Sequence, residues 1–443
     1  MAAAPLIRKY APGAVFAYRG GRAITVEEYL RDVRQLAGLL PDGRYMLNLC
    51  ADRYRFSVAF AAALLRRQVN LLPPNQAPHT MEQIGRHHPG TYALVDRAAA
   101  GPPIETYRYP ALSGNGAGAP VVPAVPAGQI AAIAFSSGST GQPLPHEHSW
   151  GALAAGAVAG SHGARFPGAV VVGTVPPQHM YGLESTVLMA MQNGLALHAG
   201  RPFYPADICA ELEAVPRPRA LVTTPVHLRA LLADAAGAPR VEFLLCATAP
   251  LSPQLAAAAE ARFSAPLYEI YGCTEAGQVA MRRTVETPEW RTLPGVALRQ
   301  DAQGTWVEGG HVETEVLLSD VIEQRGRDQF LLHGRIADLV NIAGKRTSLA
   351  HLNYHLNSIE GVRDGAFVMP EDGGSGTVTR LIAFVVAPDL SRDALLKALR
   401  QRIDDAFIPR PLSFVEALPR NDTGKLPRQA LAELMSRARS GAG

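Results

Sequence analysis

The stretch "IAFSSGSTGQPLPHEHSW", Ile133 to Trp150, places two glycines and four small hydroxyl residues in six positions directly after an apolar, strand-like run. Glycine removes the Cβ wall and permits positive φ, and serine and threonine add hydroxyl donors, so such a loop can wrap its amides around an anion. Phosphate is the natural candidate. Taken alone, the same hexamer also reads as a flexible surface turn.

Working outward, the strand before the loop belongs to an alternating pattern. "TVEEYLRDVRQLAGLL" has apolar residues at helical spacing from Thr25 to Leu40, with Thr25 and Glu28 placed for a capping box. "RYMLNLC" and "VNLLPP" read as short buried strands around a buried helix at Phe56 to Leu65, which ends at Arg66 and Arg67 and is too short to span a bilayer. Ala98 to Gly128, rich in Ala, Gly and Pro, reads as a connector with one edge strand at most. After the loop, "GAVVVGTVPP", "RALVTTP", "VEFLLCATAP" and "PLYEIYG" repeat a strand-then-loop pattern with helices between them, one near Glu184 to Gln192. This alternation predicts an α/β fold with functional residues in loops at strand ends. Beyond about Arg335, "LIAFVVAP", "SRDALLKALRQRI" and "SFVEALP" suggest a separate small domain with its own strands and helix.

The 443 residues exceed one ordinary core, and 47% hydrophobic and 18% charged residues with a formal charge of +3 suit a soluble globular protein without a nucleic-acid footprint. The opening "MAAAPLIRKYAPG" lacks the apolar length of a signal peptide. Cys50, Cys209, Cys246 and Cys273 are far apart and fit neither a zinc knuckle nor a disulfide framework, so a reducing cytoplasm is expected. The abundance of Ala, Gly, Pro and Arg suggests a high-GC bacterial source.

Other stretches complete the loop's chemistry. "YEIYGCTEAG" supplies Tyr271, Thr274 and Glu275; "LLSD" ends in Asp320; "HGRIADLVNIAGKR" presents Arg335, Asp338, Gly344, Lys345 and Arg346; "LPRNDTGKLPRQAL" carries Lys425 on a turn. Each has a partner if the ligand is ATP: phosphates for the loop, Mg²⁺ for a carboxylate, adenine for an aromatic plane, ribose hydroxyls for an aspartate, and reacting phosphorus for a lysine.

Together these stretches resemble the adenylate-forming (ANL) superfamily of acyl-CoA synthetases, aryl-acid ligases and stand-alone adenylation enzymes. "SSGSTGQP" looks like its "TSGTTGxPKG" loop, "YGCTEAG" its "YGxTE", "GRIADLVNIAGKR" its "GRxxDxIxxxGxR" and "PRNDTGKLPR" its "PxxxxGKxxR", with "PPQHMYGL" and "ATAPLSPQL" as weaker matches between them. The resemblance implies a large N-terminal AMP-binding domain (1–336), a small mobile C-terminal α+β domain (337–443), and two half-reactions. A carboxylic acid attacks ATP to give acyl-AMP and pyrophosphate, and a thiol of CoA or of an acyl carrier protein's phosphopantetheine then displaces AMP.

By the same resemblance, Ser136, Ser137, Gly138, Ser139, Thr140 and Gly141 would hold the β- and γ-phosphates, with Thr140 and Glu275 near Mg²⁺. Tyr271, followed by Gly272 and Thr274, would lie against adenine. Ala247, Thr248, Ala249 and Pro250 would line the base's edge, Asp320 would bind the ribose, and Arg335 ribose or phosphate. Lys425 would reach the carboxylate oxygen and α-phosphate, where two anions must meet. The small domain would rotate about Ala337 between the half-reactions. Gly344 would then pass the thiol arm, and Lys345 and Arg346 would meet its phosphates.

His179 matches the position that faces the acid, with Met180, Tyr181 and the strand end at Cys246 beside it. Amino-acid-activating relatives place an aspartate at Met180 to pair with the ammonium; a thioether cannot, which favours an aryl or medium acyl acid. Glu184 could accept a hydrogen bond from a hydroxylated substrate, though a solvated helix start describes it as well.

The sequence departs from the family pattern at several points. Leu144 and Pro145 replace the loop's lysine and glycine, Ala247 and Thr248 replace a glycine pair, Ala337 replaces the usual hinge residue, and a glutamate is missing near His351. These leave open a degenerate member that binds nucleotide or acyl-AMP without efficient turnover. A P-loop would need GxxxxGK[ST], and a hydrolase elbow G-x-S-x-G, neither of which is present. His146 and His148 of "HEH" lack a third metal ligand at a recognisable spacing.

Overall fold

A computed structural model describes residues 2–11, 13–97, 104–113, 121–137, 143–160, 166–234, 237–335, 338–342, 345–370, 380–421 and 426–440. Its first helix, Val26–Leu39, begins as the sequence specifies: Thr25 Oγ1 accepts from Glu28 N, and Thr25 N donates to the Glu28 carboxylate at 2.8 Å. Tyr29, Leu30, Val33 and Leu36 form its buried face. The following helix, Arg53–Leu65, is buried all round from Phe56 to Leu64, because its small Ala-rich surface packs between sheets.

Two large sheets carry the rest of the N-terminal part. A six-stranded sheet is built on the parallel strands Tyr45–Asn48, Val69–Leu72, Thr91–Val95 and Ile130–Ser137. One edge of that sheet is the antiparallel hairpin Ile130–Ser137 with Pro143–Ser149, whose tip, 138–142, lies outside the described residues. An eleven-stranded sheet has as its centre the parallel strands Ala196–His198, Val170–Gly173, Arg219–Thr223, Phe243–Cys246 and Leu267–Cys273. These apolar runs read continuously rather than alternating, as strands covered on both faces do. The connector holds two short strands rather than one: Thr106–Arg108 at the edge of the six-stranded sheet, and Ala124–Pro126 paired with Ala3–Pro5. The second is not legible locally because its partner is more than a hundred residues away.

Arg53 joins the sheets. Its side chain has no exposure, and its guanidinium donates to the carbonyls of Gly173 and Val175, both at 2.8 Å, and of His198 and Gly200, at 3.1 and 2.5 Å. Burial pulls its pKa down to about 9, so it stays cationic at neutral pH. Gly173 permits this approach, since a Cβ there would lie 2.9 Å from the guanidinium. Gln178 adds a parallel tie, its amide donating to Cys50 O at 2.8 Å.

Residues beyond Val340 build cores of their own. Val340, Leu352, Leu356, Leu395 and Leu399 pack in one, and Ala366, Val368, Ile382 and Phe384 in another beneath Leu431 and Leu434. Asp364 forms a two-pronged ion pair with Arg420 at 2.7 and 2.9 Å, and its Oδ1, which accepts one of those prongs, also meets Arg229 of the N-terminal part at 3.6 Å. Gly334, at φ +111°, lets the start of helix Leu349–Asn357 approach, since a Cβ there would lie 2.7 Å from Ala350 Cβ.

Arg53→Leu strands four buried carbonyls, and we expect it to lower stability by on the order of 4 kcal/mol in a denaturant titration. A loss below about 1 kcal/mol would remove Arg53 from this role.

Candidate active site

His179, Met180, Ala247–Pro250, Thr274 and Glu275 lie at the carboxyl ends of parallel strands, where loops leave the sheet. Thr174–Met180 follows Val170–Gly173, Ala247–Leu251 follows Phe243–Cys246, and Thr274–Ala276 turns Leu267–Cys273 into Gly277–Arg282. The phosphate-loop hairpin meets this last turn through two histidines. On the strand Pro143–Ser149, Leu144, His146 and His148 alternate onto one face. His146 Nε2 lies 2.9 Å from Ser136 Oγ and 3.6 Å from the Glu275 carboxylate. His148 Nε2 sits 2.9 Å from Thr274 O; burial lowers its pKa, so it is a neutral ring donating to that carbonyl.

"HEH" is therefore a clasp between the hairpin and the segment carrying Glu275, and no cluster of three metal-ligating side chains occurs among the described residues. His146 is the contact between Ser136 and Glu275 that sequence reasoning missed. The signal was present in the period-two alternation from Leu144, which is 50% exposed.

On the nucleotide side, Tyr271 and Asp320, far apart in sequence, are joined: the Tyr271 hydroxyl donates to the Asp320 carboxylate at 2.8 Å. The ring is held by Trp290 and Phe330, each with its centroid 5.7 Å away. Asp320 and Arg335 face each other in register on neighbouring strands. The loop from Ala247 to Pro250 is anchored behind by buried Glu269, which accepts from Leu251 N at 3.2 Å and from Arg282 at 2.7 Å. Thr248 has φ +83°, a conformation that a β-branched residue adopts only under strain. A glycine at this φ would be relaxed.

Several site candidates lie outside the described residues: Gly138, Ser139, Thr140, Gly141, Ala337, Gly344 and Lys425. Ser137, Arg335 and Arg346 are described in their backbone alone. Lys345 pairs with Asp404 at 2.5 Å on the surface of the C-terminal part.

On the acid side, His179 Nδ1 accepts from Tyr181 N at 3.3 Å and starts the short helix Met180–Gly182. The Tyr181 hydroxyl reaches Thr223 O and Leu245 O, at 3.1 and 2.9 Å, tying this helix to two strand ends. Met180 packs in the core beside Leu183 and Val187, and Cys246 is fully buried in the core beneath Leu244. Glu184 corrects the reading of a solvated helix start. It is 5% exposed, on a π-helix spanning Leu183–Leu188, and Gln278 N donates to it at 3.3 Å. Burial pushes its pKa up from 4.5 to about 7. Nothing local in the sequence marks that burial, because the wall over Glu184 comes from Gly277 and Gln278.

Two expectations follow. His146→Ala removes the clasp on Ser136 and Glu275, and should raise the KM for ATP about tenfold with stability changed by less than about 1 kcal/mol. An unchanged KM would dismiss it. For Glu184, the raised pKa means that the fold is favoured at low pH and loses stability as pH rises from 4.5 through about 7, by about 1.4 kcal/mol for each pH unit crossed. Glu184→Gln should therefore gain on the wild type by roughly 2–3 kcal/mol between pH 5 and pH 8.5 in denaturant titrations, and a pH-independent difference would contradict the burial.

Comparisons with known proteins place the chain in a family and a fold. A profile of the family described as AMP-binding enzyme matches residues 8–302. A 4-coumarate–CoA ligase from Halorhodospira halophila is 30% identical over 314 residues, covering 66% of this chain and 74% of the relative. A 4-coumarate–CoA ligase from Rhodobacter capsulatus is 29% identical over 307 residues, with 66% and 74% covered. Among solved structures, ATP-bound MatB from Rhodopseudomonas palustris has a TM-score of 0.79 at 18% identity, over 96% of this chain and 97% of its own. The anthranilate CoA ligase AuaEII, bound to anthranoyl-AMP, has a TM-score of 0.79 at 15% identity, over 97% and 95%. At such identities the structures establish the fold, the α/β adenylation architecture that the motifs implied. With its core motifs matched over 8–302, the chain belongs to the AMP-binding enzyme family, the adenylate-forming acid–thiol ligases.

Proposed function

We propose that this chain uses ATP to activate an aryl or medium acyl carboxylic acid as acyl-AMP, releasing pyrophosphate, and then passes the acyl group to the thiol of CoA. The observation that carries this is the hydrogen bond from Tyr271 to Asp320. It joins an aromatic plane suited to adenine with a carboxylate suited to ribose, at the same strand ends that bring Glu275 and Ser136 together through His146. That the relatives named above are CoA ligases supports CoA as acceptor over a carrier protein's phosphopantetheine, and argues against a binder without turnover.

In the first half-reaction a carboxylate oxygen attacks the α-phosphorus and the bond to the bridging oxygen of pyrophosphate breaks. Asp320 and Tyr271 fix the nucleoside, the hairpin tip receives the departing phosphates, and Lys425 lowers the repulsion between the carboxylate and the α-phosphate. A hard divalent cation held mainly by phosphate oxygens asks one carboxylate of the protein, and Glu275, 35% exposed with His146 behind it, suits that demand beside Thr140. When bound, Mg²⁺ would neutralise charge on the phosphates. In the second half-reaction the thiol sulfur attacks the acyl carbon and AMP departs with the electron pair. We assign 1–336 and 337–443 as two bodies that rotate about Ala337, a reading supported by the separate cores beyond Val340. Gly344, Lys345 and Arg346 would then meet the thiol arm, for which Lys345 must leave Asp404.

Apolar Met180 and Leu183 on the acid side support an acid other than an amino acid. The composition and four free cysteines support a bacterial cytoplasm, and no described helix is long and apolar enough to cross a membrane.

ATP–pyrophosphate exchange against benzoates, cinnamates and C4 to C12 fatty acids, with amino acids as controls, tests the reading. Exchange with one acid class, followed by thioester formation on CoA, is expected. Lys425→Ala should lose adenylation by on the order of 10³ while transfer from preformed acyl-AMP persists; equal loss of both steps would refute the assignment of Lys425.

A further inference from the structure

Behind the two sides of the nucleotide site lies one buried ion pair. Glu269 and Arg282 face each other in register on Leu267–Cys273 and Gly277–Arg282, with side chains only 5% and 14% exposed. Arg282 reaches Glu269 Oε2 through Nε and Nη2, each at 2.7 Å, and Thr284 Oγ1 donates to the same oxygen at 2.8 Å. Glu269 Oε1 is thereby turned to Leu251 N, at 3.2 Å, where the loop Ala247–Pro250 ends. Burial pushes the Glu269 pKa up, and the Arg282 charge is the largest of the effects that oppose it.

A second link leaves the same guanidinium. Its central carbon lies 4.4 Å from the centre of the Trp290 ring, within cation–π range, while Nη1 donates to Pro288 O at 2.8 Å. Trp290 is stacked on Phe330 with 15° between the planes, and its centroid is 5.7 Å from that of Tyr271, the ring whose hydroxyl holds Asp320. Glu269 precedes Tyr271 by two residues on one strand, so both side chains take the same face. Arg282 therefore touches the anchor of each side: Glu269 for the loop, Trp290 for the aromatic plane. A planar head with five donors can serve both at once, which a lysine's point charge cannot.

Resting on the nucleotide roles proposed for Ala247–Pro250, Tyr271 and Asp320, we propose that Arg282 is a positioning residue for the base: it holds the loop and the Tyr271 plane at the spacing that receives adenine. A slot for a flat ring works only if both walls are fixed before the ring arrives. The loop wall needs such an anchor, because Thr248 at φ +83° is held against its own backbone preference. Without Arg282 the carboxylate of Glu269 is buried without its cation and Trp290 loses its cover, so both walls loosen together. The acid side is spared, since its ties run separately from the Tyr181 hydroxyl to Thr223 O and Leu245 O.

The test is calorimetric binding of AMP to the full chain, with KM for ATP and for the acid of the panel above that exchanges fastest. Wild type is compared with Arg282→Met, Arg282→Lys, Trp290→Leu, the double variant Arg282→Met/Trp290→Leu, and Tyr271→Ala, each first shown to be folded by its thermal melt. Arg282→Met should weaken AMP about tenfold and raise KM for ATP to match, with KM for the acid within about twofold of wild type, a split that a merely structural role would not produce. Arg282→Lys keeps the charge against Glu269 without the planar cover on Trp290, and should lose only about threefold. The double variant should lose less than the product of its two single losses, because both act on one ring. If Arg282→Met does not fold, Arg282→Lys decides. Equal rises in KM for ATP and for the acid, single losses that simply multiply, or AMP binding unchanged in the folded Arg282 variants, would overturn the positioning role. Tyr271→Ala separates that result from the reading beneath it. AMP binding weakened in Tyr271→Ala but unchanged in the Arg282 variants overturns the role of Arg282 alone; AMP binding unchanged in both, or absent from folded wild type, overturns the nucleotide roles as well.

Discussion

A guanidinium sealed from water binds the two large sheets into one frame. Arg53 stands at the start of a helix whose other side chains are mostly small and apolar, and its four carbonyl acceptors come from the ends of two adjacent strands. Strand ends are where backbone groups fall out of ladder pairing, so a single cation satisfies several of them at once. The same ends launch the loop that leads to His179 and Tyr181. The acid side of the site is thus positioned by a charge that never touches it.

Around that frame the site holds groups that a purely structural design would avoid. Thr248 sits at positive φ in the loop Ala247–Pro250, Glu184 is buried without a cation, and Leu144 is exposed on the strand Pro143–Ser149. Strain and unpaired polarity of this kind concentrate where a ligand supplies the missing interaction. Large rigid cores on either side of the central strands, built around Phe243, Phe263 and Phe330, hold these conformations in place.

Much of this is legible in the sequence, for identifiable reasons. The Thr25 and Glu28 cap depends on groups three residues apart, so local order reveals it. The strands from Val170 to Cys273 announce themselves through apolar runs ending in polar loops, and the motif order marks which loops carry chemistry. Contacts between distant segments are less accessible. Nothing near Glu184 tells that Gly277 closes over it, and nothing near Ala124 tells that Pro5 pairs with it. His146 has no assigned role in the sequence, where "HEH" lacks a third metal ligand; the structure puts it between Ser136 and Glu275. Periodicity reports which face a side chain takes; it does not report what lies across from that face.

The shared aspartate at the junction of the N- and C-terminal parts has a consequence for motion. Asp364 grips Arg420 of its own part at two points but reaches Arg229 across the junction at 3.6 Å, the looser of its contacts. A swing of the C-terminal part would carry the aspartate away still neutralised by Arg420, leaving Arg229, 22% exposed, to take up water and anions. Because the stretched contact is electrostatic and reachable by solvent, dissolved salt competes with it directly. In the two-body movement proposed above, this junction would act as an ionic brake whose friction is set by the surrounding electrolyte.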